Sequence, residues 1–287
     1  MMIGTVKIDI DSVRYPDRLR HIPDPPAQLY CTGNIDLLGM RSVGVVGARK
    51  NTVYGKNVAL MIGRRLAESG IVVTSGLALG IDGYSHEGAL EADGKVIGVL
   101  GSGIDHMTPQ RNRSLMRKAL DKGGLVVSEY PPEEVGFRGN FPARNRIISG
   151  LSEALVVVEA GLNSGSLITA KCAADQGRTV YAVPGNINSQ TSIGCNLLIR
   201  DGAVPLIIID DMIRDIGATP TKTGTVSVKL DDDERRIFDF VRDMSGATME
   251  EIINATGLSP GLANSLVTVL EIKGIVESYA GRIYISR

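Results

Sequence analysis

The sequence predicts an α/β protein: a doubly wound, mostly parallel sheet followed by a small C-terminal winged-helix domain. Three observations carry this. Six short Val/Ile-rich runs are continuously apolar rather than alternating, the pattern of strands covered on both faces. Helix-period segments separate them, which specifies right-handed βα crossovers. Past residue 230 the order changes to helix, helix, turn, helix and two short strands.

In order along the chain, residues 1–34 read as a lead-in segment, proline-rich at 23–26. The main domain spans 35–216. Its strands are expected at 42–47 (SVGVVG), 71–75 (IVVTS), 95–100 (KVIGVL), 124–129 (GLVVSE), 154–159 (ALVVVE) and 179–184 (TVYAVP), with VPLII at 204–208 as a possible edge strand. Helices are expected at 55–69, 82–92, 109–121, 144–151 and 166–176. Residues 217–230 have linker composition. The winged-helix domain spans 231–287, with its turn at Gly257–Gly261 and its strands around Ala280-Gly281.

Composition narrows the function. The 287 residues are 43% hydrophobic, enough for a well-buried core. No run of about 18 apolar residues occurs, so no membrane-spanning helix is expected. The N-terminus lacks a basic flank followed by an apolar block and does not read as a secretory signal. Cys31, Cys172 and Cys195 have no paired spacing, which points to reduced thiols in the cytoplasm and away from a zinc site. Charge is uneven. Residues 135–200 hold six basic and three acidic side chains, while the whole chain is −1. From residue 229 onward there are ten acids and seven bases, and the helix that would enter a DNA groove, GLANSLVTVLEIKG, has only Lys273 as a base. Duplex readers need phosphate-neutralising charge, so this domain reads as a protein-contact or regulatory module.

The first βα turn, VGVVGARKNTVYGKN, is neither a dinucleotide fingerprint nor a P-loop: it lacks the third glycine of the first and the spacing of the second. It aims Arg49 outward from a strand end, where phosphate contact is favoured over a plain surface role. Asp82 and His86 lie one helical turn apart, and the favoured reading is that Asp82 caps the helix. After GSGID (101–105), Arg111 and Arg113 face either the same sheet edge or solvent. The sharpest signal is FRGNFPARNR (137–146). Arg138, Arg144 and Arg146 offer forks for phosphate, Asn145 lies between the last two, and Phe137 or Phe141 could stack on an unpaired base. Ser164, Gly165 and Ser166 open a helix with free backbone N–H groups, the form of an anion nest or of a simple cap. Lys171 projects either way.

Taken together, these blocks resemble the DNA-processing protein A family (DprA, also called Smf). The resemblance runs from about Tyr15-Pro16 to the C-terminus through YPDRLRHIPDPPAQLYCTG, VGVVGARKNTVYG, TSGLALGIDGYSH, GVLGSGID, FPARNRIISGLSEALVVVEA, SGSLITA, YAVPGNI and GCNLLIRDGA. It implies an extended Rossmann-like domain that binds single-stranded DNA without strong sequence preference, forms a homodimer and helps load the RecA recombinase during natural transformation. The role expected on this reading is non-enzymatic, with no cofactor. The family's turn arginine corresponds to Arg49, its Phe-Pro-x-Arg-Asn-Arg segment to Phe141 through Arg146, and its Ser-Gly-Ser turn to Ser164–Ser166. Two departures stand out. Many members carry an extra helical domain ahead of this region, for which the chain has no room. Members often have Tyr-Pro where this chain has Thr108-Pro109. The alternative is an enzyme, a nucleotide phosphoribohydrolase of the lysine-decarboxylase-like group. That group's Pro-Gly-Gly-x-Gly-Thr-x-x-Glu turn reads Asn163-Ser-Gly-Ser-Leu-Ile-Thr-Ala170 here, without the glutamate.

Overall fold

The first departure from expectation is at the N-terminus. In the computed structural model, which describes residues 4–221, 230–244, 246–273, 275–279 and 281–285, the segment expected as a lead-in builds part of the sheet. It supplies β1 (Val6–Asp9) and β2 (Gln28–Gly33), joined through the short helix α1 (Asp17–Arg20). β2 runs antiparallel to β6 (Leu125–Ser128), with Tyr30 opposite Ser128. Val6, Ile8 and Asp9 alternate too weakly with polar neighbours to announce a strand, and Leu29-Tyr30-Cys31 is short. Pairing to an existing edge decides the matter, as β-propensity alone seldom does.

The remaining strands are β3 (Ser42–Val46), β4 (Val72–Ser75), β5 (Val96–Leu100), β7 (Ala154–Val157), β8 (Thr179–Ala182) and β9 (Val204–Pro205). The sheet order is β1-β2-β6-β5-β4-β3-β7-β8-β9. From β6 to β9 every pairing is parallel. The chain steps from β3 out to β6 in one direction, then returns to the far side of β3 with β7. The direction of winding therefore reverses between β3 and β7, at whose carboxyl ends open α/β sheets take ligands.

Continuous apolar runs are explained by two cores, one on each face. Val43, Val45, Val73, Val126 and Val156 face one way. They pack under α2 (Val53–Glu68), α3 (Ile81–Glu91), α4 (Arg113–Asp121) and a later helix at Ile209–Asp215. Val46, Val72, Ile97, Val99, Val127 and Leu155 face the other way, under α1, α5 (Asn140–Leu151), α6 (Gly165–Asp175) and α7 (Ile193–Arg200). Each fully buried Val, Leu or Ile contributes about 1.5–3 kcal/mol relative to exposure. The helix at 209–215, α8, follows the edge strand β9. Neither α7 nor α8 is in the sequence reading; both are short, and their N-cap residues, Ser192 and Ile208, make no side-chain cap hydrogen bond.

α5 begins at Asn140, four residues before its expected start at 144. Pro142 lies in its first turn, where a missing N–H costs no intrahelical bond. Asp82 is not the cap of α3. That position belongs to Gly80, whose φ of 82° suits glycine and which approaches the Ala48 carbonyl too closely for a Cβ.

The chain folds as two compact units, Met1–Lys222 and Thr223–Arg287. Most of the expected linker, 222–229, lies outside the described residues. Its start belongs to the first unit: Thr221 donates its hydroxyl to Glu68 O at 2.6 Å, and Arg65 donates to Thr221 O at 2.9 Å. The second unit holds α9 (Asp232–Asp243), α10 (Met249–Thr256), α11 (Pro260–Ile272) and the antiparallel pair β10 (Val276–Tyr279) and β11 (Arg282–Ile285). Capping boxes open α9 (Asp231 with Glu234) and α10 (Thr248 with Glu251). Ile237, Val241, Ile252, Val267, Leu270 and Ile283 form its core.

Candidate nucleic-acid interface

A cleft of about 700 Å³ opens where the winding reverses. Its walls are the loop after β3, the loop after β7 with the start of α6, and the first turns of α5. β3 ends at Val46, and the chain must turn there before α2 begins; that turn carries Arg49 and Lys50, both exposed. The Arg49 guanidinium lies over the Phe141 ring, 6.0 Å from its centroid, within cation–π range. Arg138, also exposed, lines the cleft from the turn ahead of α5. Each of these three cations lacks a carboxylate partner among the described residues.

The opposite wall is the α6 N-terminus. Ser164 is the N-cap; its hydroxyl sits 2.8 Å from the Ser166 hydroxyl and accepts from the Ser166 N–H at 3.4 Å, close to the limit for such a bond. Gly165 is exposed, with open space where a Cβ would lie. The first turn therefore presents weakly engaged donors and the positive end of the helix dipole to the cleft. Asn145 bridges the walls, donating to Gly165 O at 3.3 Å.

Arg144 and Arg146 have other duties. Arg144 is 5% exposed at the cleft floor. Its Nη1 donates to Gly76 O at 2.8 Å and to Val99 O, and its Nε donates to Asn145 Oδ1 at 3.3 Å. Burial lowers its pKa from the ordinary 12.5 to about 10, with the nearby Asp82 carboxylate opposing the fall. Burial likewise raises the Asp82 carboxyl, against the pull of Arg144 and of the Gly76 N–H, which donates to Asp82 Oδ2 at 3.1 Å. Arg144 thus fastens α5 to the ends of β4 and β5 and lends the floor a positive charge. Arg146, expected to fork a phosphate, turns away from the cleft. It is held bidentately by Glu129 at 2.7 and 2.9 Å and by Asp24 at 2.9 Å, and it does not line the cavity. The reason is helical spacing: residues two apart on one helix point to different sides.

The other expected residues sort by place. Phe141 lines the cleft half-buried, whereas Phe137 is 64% exposed beside it and is not among the cleft's lining residues. Arg111 and Lys171 are exposed and lie outside the cleft, and Arg113 donates to Asp105 O at 3.0 Å. Lys50, Asn163, Gln190 and Thr191 line the cleft without having been singled out. Lys50 was legible as the neighbour of Arg49; Gln190 and Thr191 arrive from the loop after β8, which no local motif marks. No group of three His, Cys, Asp or Glu side chains able to hold a metal occurs among the described residues.

Residues 7–217, most of the first unit, match the profile of the family described as DNA recombination-mediator protein A. The chain belongs to that family. Residues 218–282 match the DprA winged helix domain. Protein Smf of Escherichia coli is 42% identical over 209 residues, covering 73% of this chain and 56% of the relative. The DNA processing protein DprA of Bacillus subtilis is 42% identical over 214 residues, covering 74% of this chain and 72% of the relative. The chain thus matches little more than half the length of the Escherichia coli protein. Among solved structures, DprA of Streptococcus pneumoniae superposes with a TM-score of 0.70 at 39% identity, covering 75% of each chain. DNA processing protein A of Helicobacter pylori, whose structure describes a single-stranded DNA binding mode, superposes at 0.67 with 30% identity, covering 75% of this chain and 96% of that one. The family assignment agrees with the resemblance drawn from the motifs.

Proposed function

We propose that this protein binds single-stranded DNA in the cleft between β3 and β7 and serves, as a homodimer, as the mediator that loads the RecA recombinase onto that strand during natural transformation. The observation that carries the reading is the convergence of three cations without a carboxylate partner among the described residues, Arg49, Lys50 and Arg138, with an open helix N-terminus and one half-buried aromatic ring around a single cavity. Cations and amide hydrogens suit phosphates, which every sequence shares, and a ring face suits any unpaired base. The single-stranded DNA binding described for the Helicobacter pylori relative supports it. With few contacts per protomer, a dimer would raise affinity through effective concentration.

The role is non-enzymatic. The acid that lines the cleft, Asp82, is buried and engaged with the Gly76 N–H beside Arg144, so it is poorly placed to serve as the base a phosphoribohydrolase needs. The test is affinity for a mixed-sequence single strand and for the matching duplex across a salt series, with dimer mass and RecA filament formation measured on the same preparation. Preference for the single strand with a clear salt slope is expected; equal binding to both, or no slope, sinks the reading.

A further inference from the structure

In a doubly wound sheet the N-terminus of the first crossover helix is where an anionic ligand commonly sits. Here a side chain of the protein itself sits there. Glu159 follows β7 at the carboxyl edge and is 2% exposed. Its Oε2 accepts from the Thr52 backbone N–H at 2.9 Å and its Oε1 accepts from the Thr52 hydroxyl at 2.6 Å. Thr52 is the N-cap of α2. The Thr191 hydroxyl donates to Oε1 at 3.3 Å. Gly55, in the first turn, leaves the space this arrangement needs: a Cβ there would stand 2.2 Å from Glu159 Oε2. The carboxylate's partners among the described residues are one amide and two hydroxyls, none of them a cation. Its charge is met by the helix dipole and by charge-assisted hydrogen bonds, as a bound phosphate's would be.

We propose that Glu159 is a specificity-determining residue, a built-in anion that fills the α2 seat, refuses it to the phosphate of a free nucleotide, and leaves the α6 N-terminus as the seat for a phosphate of the bound strand. The same carboxylate ties the loops after β3, β7 and β8 together, so the loop bearing Arg49 and Lys50 is held by the group that excludes the competing ligand. This inference rests on the reading of the cleft as a phosphate site, and its test is independent of DNA.

The probe is inorganic phosphate, titrated into the full chain and into Glu159→Ser, with binding followed by phosphorus NMR and by the unfolding midpoint against chloride at equal ionic strength. Removing the carboxylate vacates the α2 seat while the α6 seat stays open in both proteins, so the variant is expected to bind phosphate at a second site that the parent lacks and to gain more thermal stability from phosphate than the parent gains. A purely structural role predicts destabilisation that phosphate does not repair. If the variant is unfolded in chloride, refolding is compared in the two salts: recovery in phosphate alone supports the inference. A folded variant with the parent's phosphate response overturns it, and so does failure to fold in both salts. Loss of oligonucleotide binding by the parent would sink the function proposed above while leaving this phosphate comparison standing.

Discussion

The two units treat their basic residues in opposite ways. Around the cleft of the α/β unit, Arg49, Lys50 and Arg138 are left without carboxylates among the described residues. In the winged-helix unit, four of the five described basic residues are tied to acids: Arg236 to Asp233 at 3.2 Å, Arg242 to Asp239 at 2.8 Å, Lys273 to Glu234 at 2.5 Å and Arg282 to Glu251 at 3.3 Å. α11, the helix that reads DNA in many proteins of this shape, carries no base of its own. Among the described residues the winged-helix unit leaves Arg235 alone without an acid, whereas the cleft gathers three such cations, so the proposed phosphate site follows the pairing state of cations rather than the name of the architecture.

The comparison breaks most easily at the cleft. Replacing both Arg49 and Arg138 by alanine should lower single-strand affinity about a hundredfold, from two lost charge-assisted contacts, and flatten the salt slope by about 1.4 counterions. Fluorescence anisotropy across a salt series reads both, and a double variant that binds like the parent would end the case for this cleft.

Acid should distinguish the units next. His86 is fully buried in the first unit, and burial lowers its pKa from 6.5 to about 4. The fold therefore holds the ring neutral while the unfolded chain protonates it. The stabilising effect is complete above pH 6.5 and is lost as pH falls toward about 4, at up to about 1.4 kcal/mol per pH unit. Denaturant titrations at pH 7 and pH 5 should show the α/β unit weakened by about 2 kcal/mol, a difference that His86→Gln removes. An unchanged pH dependence in that variant would reassign the acid sensitivity elsewhere.

A smaller effect is expected from Phe141→Ala, about tenfold in affinity with the salt slope kept, because a stacked base is lost but no phosphate contact. Phe137→Ala, outside the cleft lining, should change less. Smallest of all, the pair Lys273→Ala and Arg282→Ala should leave oligonucleotide affinity within about twofold, since neither cation is free. A tenfold loss there would move DNA recognition into the winged helix.

The core was legible because its rule is local. Val43–Val46, Val96–Leu100 and Ala154–Val157 are apolar on both faces and each forms a buried strand. The arginine cluster was legible only as composition. A helix starting at residue 144 leaves 137–143 as a loop, in which any side chain can turn any way. The helix begins instead at Asn140, and its periodicity sends Arg144 to the ends of β4 and β5 and Arg146 to Glu129 and Asp24. Those partners come from strands and turns distant in sequence, so their meeting depends on topology that no local pattern encodes. In the sequence Glu159 counts as one acid in a cationic stretch and as the last residue of the expected strand 154–159; that strand ends at Val157, and a lone acid closing an apolar run is the overlooked signal.

The antiparallel β1–β2 pair has a practical consequence. β2 covers the side of β6 that β5 leaves bare. Trimming the first thirty-odd residues as dispensable would strip that border, leaving a row of unpaired amides and carbonyls beside Leu125 and Val127. Shortened versions of this protein should then clump by strand addition, and a loss of DNA binding in them would report sticky margins rather than a missing contact.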